Sequence, residues 1–218
     1  LYIAGATILI GSLVAMRKDI LKARLAYSTI SQLSYIVAGA LLASSLATTG
    51  AAMHIAMHAF GKITLFFCAG AILVGAHKSE ISQMDGLGRR MPFTFGAFFI
   101  GSLSVIGLPP TGGSWSKWFL VLGAVEAETR VMVLVLMASS LLSIGYLMPV
   151  VGRAFFRPLP DDDAHGTEDH GEGTAPAAQG IREAPLLCVL PPVFTAVCCI
   201  VLFFFAEGIY ELLTGIVP

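Results

Sequence analysis

The sequence predicts an all-α fold, a polytopic bundle of about six apolar transmembrane helices of which one is discontinuous. Hydrophobic residues make up 56% of the 218 residues and charged residues only 12%, against about a quarter charged in a soluble domain. Mean hydropathy is +0.82. The apolar residues fall in runs of roughly span length, and one overlong run is interrupted by a cluster of Gly and Pro.

In chain order the runs are Leu1 to Met16, Leu25 to Ala47, Met53 to Ala76, Phe93 to Val125, Val131 to Val151 and Leu186 to Ala206. The first is shorter than the roughly 20 residues that cross a bilayer. It opens on Leu1 with no leader pattern, so the chain is read as a piece of a longer one. Phe93 to Val125 is too long for one simple span and too short for two. Gly107, Pro109, Pro110, Gly112 and Gly113 interrupt its middle. Adjacent prolines remove two amide donors and clash with the preceding turn, so an unbroken helix cannot pass. Two readings fit: a hairpin of two short helices, or one helix broken at mid-membrane.

Charge distribution weighs between them. Arg17, Lys18, Lys22 and Arg24 follow the first run and Lys78, Arg89 and Arg90 follow the third, which places both segments in the cytoplasm. The uncharged link Thr48 to Ala52 then belongs outside. A single crossing by Phe93 to Val125 returns Arg153, Arg157 and Arg182 to the cytoplasm, whereas a hairpin puts them outside. The discontinuous helix is therefore preferred. Irregular backbone at that depth is tolerated only where it is buried in protein or lines a hydrated cavity, which makes the break a functional clue.

Net charge is −1, with 13 basic and 14 acidic residues, so nothing points to nucleic acid. The expected partners are lipid and protein. Cys68, Cys188, Cys198 and Cys199 lie in apolar stretches without metal-knuckle or redox spacing and read as small hydrophobes. Residues 158–184 form a solvated acidic loop with Asp161, Asp162, Asp163, Glu168, Asp169 and Glu172. His165 and His170 lie among them, but the glycine-rich setting offers no rigid metal geometry.

Ionisable residues inside the spans are the candidate site. His54, His58 and Lys62 recur at i, i+4 and i+8, along one helical face at steps of about 6 Å. A lysine at mid-span costs several kcal/mol, so such groups face protein or water and mark ion pathways. Imidazole accepts and donates protons near neutral pH, and a desolvated ammonium exchanges one readily, so their alternation suits a proton relay. Snorkelling or a structural hydrogen bond suits His54, near the helix end, and suits Lys62 badly. Lys117 follows the break in Gly112-Gly113-Ser114-Trp115-Ser116-Lys117-Trp118. It is a relay group if the helix is single and broken, and an interfacial anchor beside Trp115 and Trp118 if it is a hairpin. Ser28, Thr29, Ser31, Gln32, Ser34, Tyr35, Thr64, Ser102 and Ser104 are read as packing residues.

Four ordered motifs carry a resemblance. Lys18-Asp19-Ile20-Leu21-Lys22 leads into Leu25-Ala26-Tyr27-Ser28-Thr29-Ile30-Ser31-Gln32-Leu33-Ser34-Tyr35. His54-x3-His58-Ala59-Phe60-x-Lys62 follows, then Met84-Asp85-Gly86-Leu87, then Gly107-Leu108-Pro109-Pro110 ahead of Ser116-Lys117. Residues 1–157 so resemble the antiporter-like subunits shared by Mrp-type sodium/proton antiporters, respiratory complex I and membrane-bound hydrogenases. The resemblance implies a fourteen-helix core of two inverted five-helix repeats around a hydrated axis. Residues 1–157 would then be the second repeat with its first helix truncated, 158–184 the acidic loop, and 185–218 a final transmembrane helix and tail. His54, His58 and Lys62 match the central relay helix, and Lys117 the ionisable group of the second broken helix. The family's glutamate and lysine pair of the first repeat lies upstream of Leu1, so this chain alone is not expected to transport. Lys117 followed by Trp118 looks closer to the D-type antiporter proteins than to complex I subunits. The expected role is a proton-translocating subunit of a multisubunit Na⁺/H⁺ antiporter in a bacterial or archaeal cytoplasmic membrane, with other membrane subunits as partners. The alternative is a proton-pumping subunit of an NADH:quinone oxidoreductase or hydrogenase. The sequence holds no Gly-rich nucleotide loop and no iron–sulfur cysteine set, so no cofactor and no catalytic site are expected in this chain.

Overall fold

The computed structural model describes residues 1–158 and 181–215. Most of the expected acidic loop, including Asp161, Asp162, Asp163, Glu168, Asp169, Glu172, His165 and His170, lies outside them. Among the described residues the fold is helical: α1 (Tyr2–Arg17), α2 (Leu21–Leu42), α3 (Ser45–Ala76), α4 (Leu87–Arg90), α5 (Pro92–Ile106), α6 (Gly113–Glu126), α7 (Arg130–Phe156), α8 (Leu186–Phe204) and α9 (Ala206–Thr214). Four of these, α2, α3, α7 and α8, are long and apolar enough to cross a membrane. Among the described residues the β-pairing is an isolated bridge between Ile20 and Glu80.

The 32-residue α3 is the spine, with α2, α5, α6 and α8 packed around it, while α1 lies against α2 and α7. Its length, about 48 Å at 1.5 Å per residue, exceeds a hydrocarbon core of about 30 Å. It begins earlier than the apolar run suggested. Leu42 completes 22 residues of α2, Ala43 reverses the chain at φ 53°, and the Ser44 hydroxyl caps α3 by accepting from Ala47 N at 3.1 Å. The link between α2 and α3 therefore sits at Ala43–Ser44, and Thr48 to Ala52, expected as that link, lies within the first turns of α3. Small neutral residues carried no sequence signal for this cap, because hydropathy is blind to a two-residue reversal.

α5 and α6 form one broken helix. Down the length of α3, Gly75 lies against Met91, Gly61 against Ser104 and Val105, Met57 against Gly112, His54 against Ser116, Gly50 against Leu120, and Ala47 against Gly123. Residue numbers rise on one strand of contacts as they fall on the other, so α5 and α6 run in the same sense antiparallel to α3. A hairpin would reverse the second half of that series. Close approach at the far end depends on Gly123, where a Cβ would collide with the Ala47 backbone and side chain.

The basic segments gather at one end. Asp85 binds Arg153 at 2.7 Å and Arg157 at 3.4 Å, Asp19 accepts from Ser82 N and Oγ at 3.1 and 2.6 Å, Arg89 donates to Phe155 O, and Arg182 N donates to Arg90 O. Ile81, Met84, Leu87 and Met91 bury their side chains beneath these polar contacts. Hydrogen bonding from Arg153 is the main cause that holds the Asp85 carboxyl below the usual aspartate range. Beyond α8 the backbone kinks at Phe205 and continues as α9, so part of the expected tail is helical.

Candidate functional site

Helical periodicity places His54, His58 and Lys62 on one face of α3, and packing turns that face inward: their exposures are 2%, 8% and 5%. The antiparallel α2 meets this face with Tyr35, Gln32 and Ser28, whose spacing of three and four residues keeps them on one side. Lys62 Nζ donates to Ser28 Oγ at 2.7 Å and to Leu25 O at 3.1 Å. His54 stacks between Tyr35, at 5.7 Å between ring centroids, and His58, at 5.6 Å. Its Nδ1 lies 2.9 Å from Ser116 Oγ on α6.

Lys117 also packs against Tyr35. It sits in the first turns of α6 at 7% exposure, its Nζ 4.9 Å above the Tyr35 ring. The ammonium donates to Ile106 O at 3.1 Å and to Ser140 Oγ on α7 at 3.4 Å. Ile106 ends α5, so the break delivers a helix C-terminus, with its excess of negative dipole, to the lysine. Gly107 makes this possible. Its φ is +90°, and a Cβ there would come within 2.7 Å of Lys117 Cδ.

Pro109 and Pro110 lie on the exposed outer side of the break. Gly112 N donates to Cys199 O at 2.9 Å, tying the break to α8, and a Cβ on Gly113 would collide with the Ser104 carbonyl. A cavity of about 670 Å³ opens beside the break, lined by Lys117, Tyr35, Gly107, Ser140, Trp118 and Leu141. The ionisable and break residues singled out from the sequence thus fall in two adjoining features, the polar face of α3 and the break. Lys117 is buried at 7% exposure on a helix that is single and broken, the arrangement under which the sequence makes it a relay group rather than an interfacial anchor.

Sequence reasoning missed the partners of these groups. Tyr35, Ser28 and Ser116 touch the ionisable residues directly, and α7 adds Ser140, Ser143 and Tyr146. The signal that could have found them was helical spacing: 28, 32 and 35 on α2 and 139, 143 and 146 on α7 are polar stripes inside apolar spans. Between the two lysines, His54 Nε2, His58 Nε2 and both amide atoms of Gln32 are buried without a hydrogen-bond partner. These atoms leave the seam with unused donors and acceptors among otherwise apolar helices.

Residues 1–143 match the family model for the transmembrane region of NADH:quinone oxidoreductases and Mrp antiporters. The chain is 39% identical over 209 residues to the N-type subunit of NADH-quinone oxidoreductase from Desulforudis audaxviator, covering 95% of this chain and 41% of that protein. It is 33% identical over 211 residues to the D-type subunit of the Na⁺/H⁺ antiporter from Alkalihalophilus pseudofirmus, covering 97% of this chain and 40% of that protein. The chain therefore spans about two fifths of the length of these relatives. Among solved structures, the Mrp complex from a Dietzia species superposes with a TM-score of 0.83 at 24% identity, covering 96% of this chain and 44% of that one. Respiratory complex I from Thermus thermophilus superposes with a TM-score of 0.77 at 20% identity, covering 96% and 42%. These likenesses agree with the antiparallel packing, the broken helix and the membrane-spanning elements: the chain is a multi-pass membrane protein and belongs to the NADH:quinone oxidoreductase/Mrp antiporter transmembrane family.

Proposed function

We propose that this chain is part of a proton-translocating membrane subunit, with His54, His58, Lys62 and Lys117 as the groups that hand protons along the seam, in the cytoplasmic membrane of a bacterium or archaeon. The observation that supports it is the burial of four ionisable side chains in one continuous polar seam that ends at a helix break. Among the described residues, none of the hydrogen bonds from Lys62 or Lys117 goes to a carboxylate. An ammonium buried without a counter-ion is held in place by function more readily than by stability. Rungs of the α3 ladder stand about 6 Å apart, so a proton passes between them through an intervening water or a rotamer change. Residues 1–157 are the translocating repeat in this reading, 158–184 a connecting loop, and 185–218 a closing helix and tail. Other membrane subunits of the same assembly are its partners.

Two driving forces fit the site. Exchange for Na⁺ is the reading that the Lys117-Trp118 pair supports, together with the 33% identity to a Na⁺/H⁺ antiporter protein. The 39% identity to an NADH-quinone oxidoreductase protein supports a redox-driven pump, and the seam itself serves either. Proton movement by the complete assembly in sealed vesicles, driven in turn by a Na⁺ gradient and by NADH, separates them. Lys62→Ala is expected to reduce either response to background while the assembly persists, and wild-type transport in that variant would overturn the relay assignment.

A further inference from the structure

Tyr146 on α7 is fully buried and its hydroxyl bonds to Ser28 and Ser143 rather than to an ionisable side chain, yet it stands in an ordered chain that ends on Lys62. Ser143 Oγ donates its single proton to Ser139 O at 2.9 Å. It can then only accept from the Tyr146 hydroxyl, 3.0 Å away. With its proton so committed, Tyr146 can only accept from Ser28 Oγ at 2.8 Å. Ser28 is left with a lone pair for Lys62, 2.7 Å away. A backbone carbonyl that cannot reverse its role therefore sets the direction of every hydroxyl up to the lysine. Arg24 Nη1 donates to Tyr146 O at 2.9 Å, which holds the tyrosine from its backbone as well.

At the lysine, Ser28 Oγ and Leu25 O are both acceptors. They engage two N–H groups, and an amine has two N–H groups whether or not it carries its third proton. Both anchoring bonds survive deprotonation, so the nitrogen stays in place while only the third proton leaves or returns.

We propose that Tyr146 is a positioning residue for proton exchange at Lys62, acting through Ser28 so that only one of the lysine's three protons is exchangeable. This rests on the reading of Lys62 as a relay group. Breaking the chain frees Ser28 to rotate and donate to the neutral amine, occupying the lone pair that should receive the incoming proton.

The test uses the full-length protein in its assembly, with proton translocation in vesicles as readout. Tyr146→Phe keeps the ring and loses the hydroxyl, and it is expected to slow translocation about fivefold, the scale of one hydrogen bond. Ser143→Ala should do the same from the far end of the chain, which guards against a folding defect in one variant. Ser28→Ala should also slow translocation, and Tyr146→Phe added to Ser28→Ala should cost nothing further, because the tyrosine acts only through that serine. With ring-labelled ¹³C-tyrosine, an infrared difference band that follows turnover should vanish in Tyr146→Phe and in Lys62→Met. Full multiplicative loss in the double variant, or a tyrosine band that persists in Lys62→Met, would make Tyr146 merely structural. Wild-type translocation in Lys62→Met would overturn the relay reading itself; an inactive Lys62→Met beside a wild-type Tyr146→Phe would overturn only the positioning role.

Discussion

Gly107 and Lys117 show how tightly single residues define the site. The positive φ of Gly107 turns the chain out of α5, and the missing Cβ leaves the space through which the lysine stem reaches the Ile106 carbonyl. Gly107→Ala adds both a left-handed backbone cost of about 1 kcal/mol and a methyl in the path of the stem. It is expected to lower stability by at least that amount and to reduce proton translocation, with thermal denaturation and vesicle transport as the two readouts. Gly96 is the control, since its added Cβ meets no atom within 4 Å, so Gly96→Ala should leave both near wild type. His54, His58, Lys62 and Lys117 were legible as candidates because charge inside an apolar run is conspicuous. Tyr35 and Tyr146 were not, because a tyrosine in a transmembrane run reads as packing until its neighbours are known.

At the scale of elements, the ends of the helices are tied by residues distant in sequence. Glu183 caps α5, its Oε1 accepting from Phe93 N at 2.7 Å and from Thr94 N at 3.3 Å, and its Oε2 from the Thr94 hydroxyl at 2.7 Å. Glu183→Ala should cost about 1 kcal/mol, the value of an N-cap, and raise amide hydrogen exchange at Phe93 and Thr94. The Asp85 clamp on α7 makes a pH-dependent counterpart. Its carboxyl titrates below the ordinary range in the folded protein, so the clamp's contribution is fully present above the ordinary aspartate value of about 3.9 and is lost as pH falls through the lower folded value. Exchange in Ser82 to Arg90 should therefore be flat through neutral pH and rise only in strong acid, whereas Asp85→Asn should show the raised exchange at pH 7. The positions of α1, α2, α5, α7 and α8 were legible as apolar runs. The Ser44 cap, the remote Glu183 cap and the helical tail at α9 were not, since each depends on backbone geometry or on a partner far along the chain.

For the whole molecule, the decisive feature is that the broken helix crosses once, so the clamped end with Asp85 and the α6–α7 turn lie at opposite ends of the bundle. Lys78→Cys and Glu128→Cys are expected to react with a membrane-impermeant thiol reagent from opposite sides of sealed vesicles. Labelling of both from one side would restore the hairpin. Composition and run length by themselves determined that this is a membrane helical bundle, that one helix is interrupted at Gly107 to Gly113, and that four ionisable groups lie within the spans, because these properties are local or additive along the chain. Only the tertiary structure decided the sense of the second half of the broken helix, the placing of Lys117 and His54 against Tyr35, and the hydroxyl chain from Ser143 to Lys62. Those depend on the relative rotation and register of α2, α3, α6 and α7, and hydrophobic periodicity does not encode which of several small polar residues will face one another when apolar helices pack through many weak contacts in lipid.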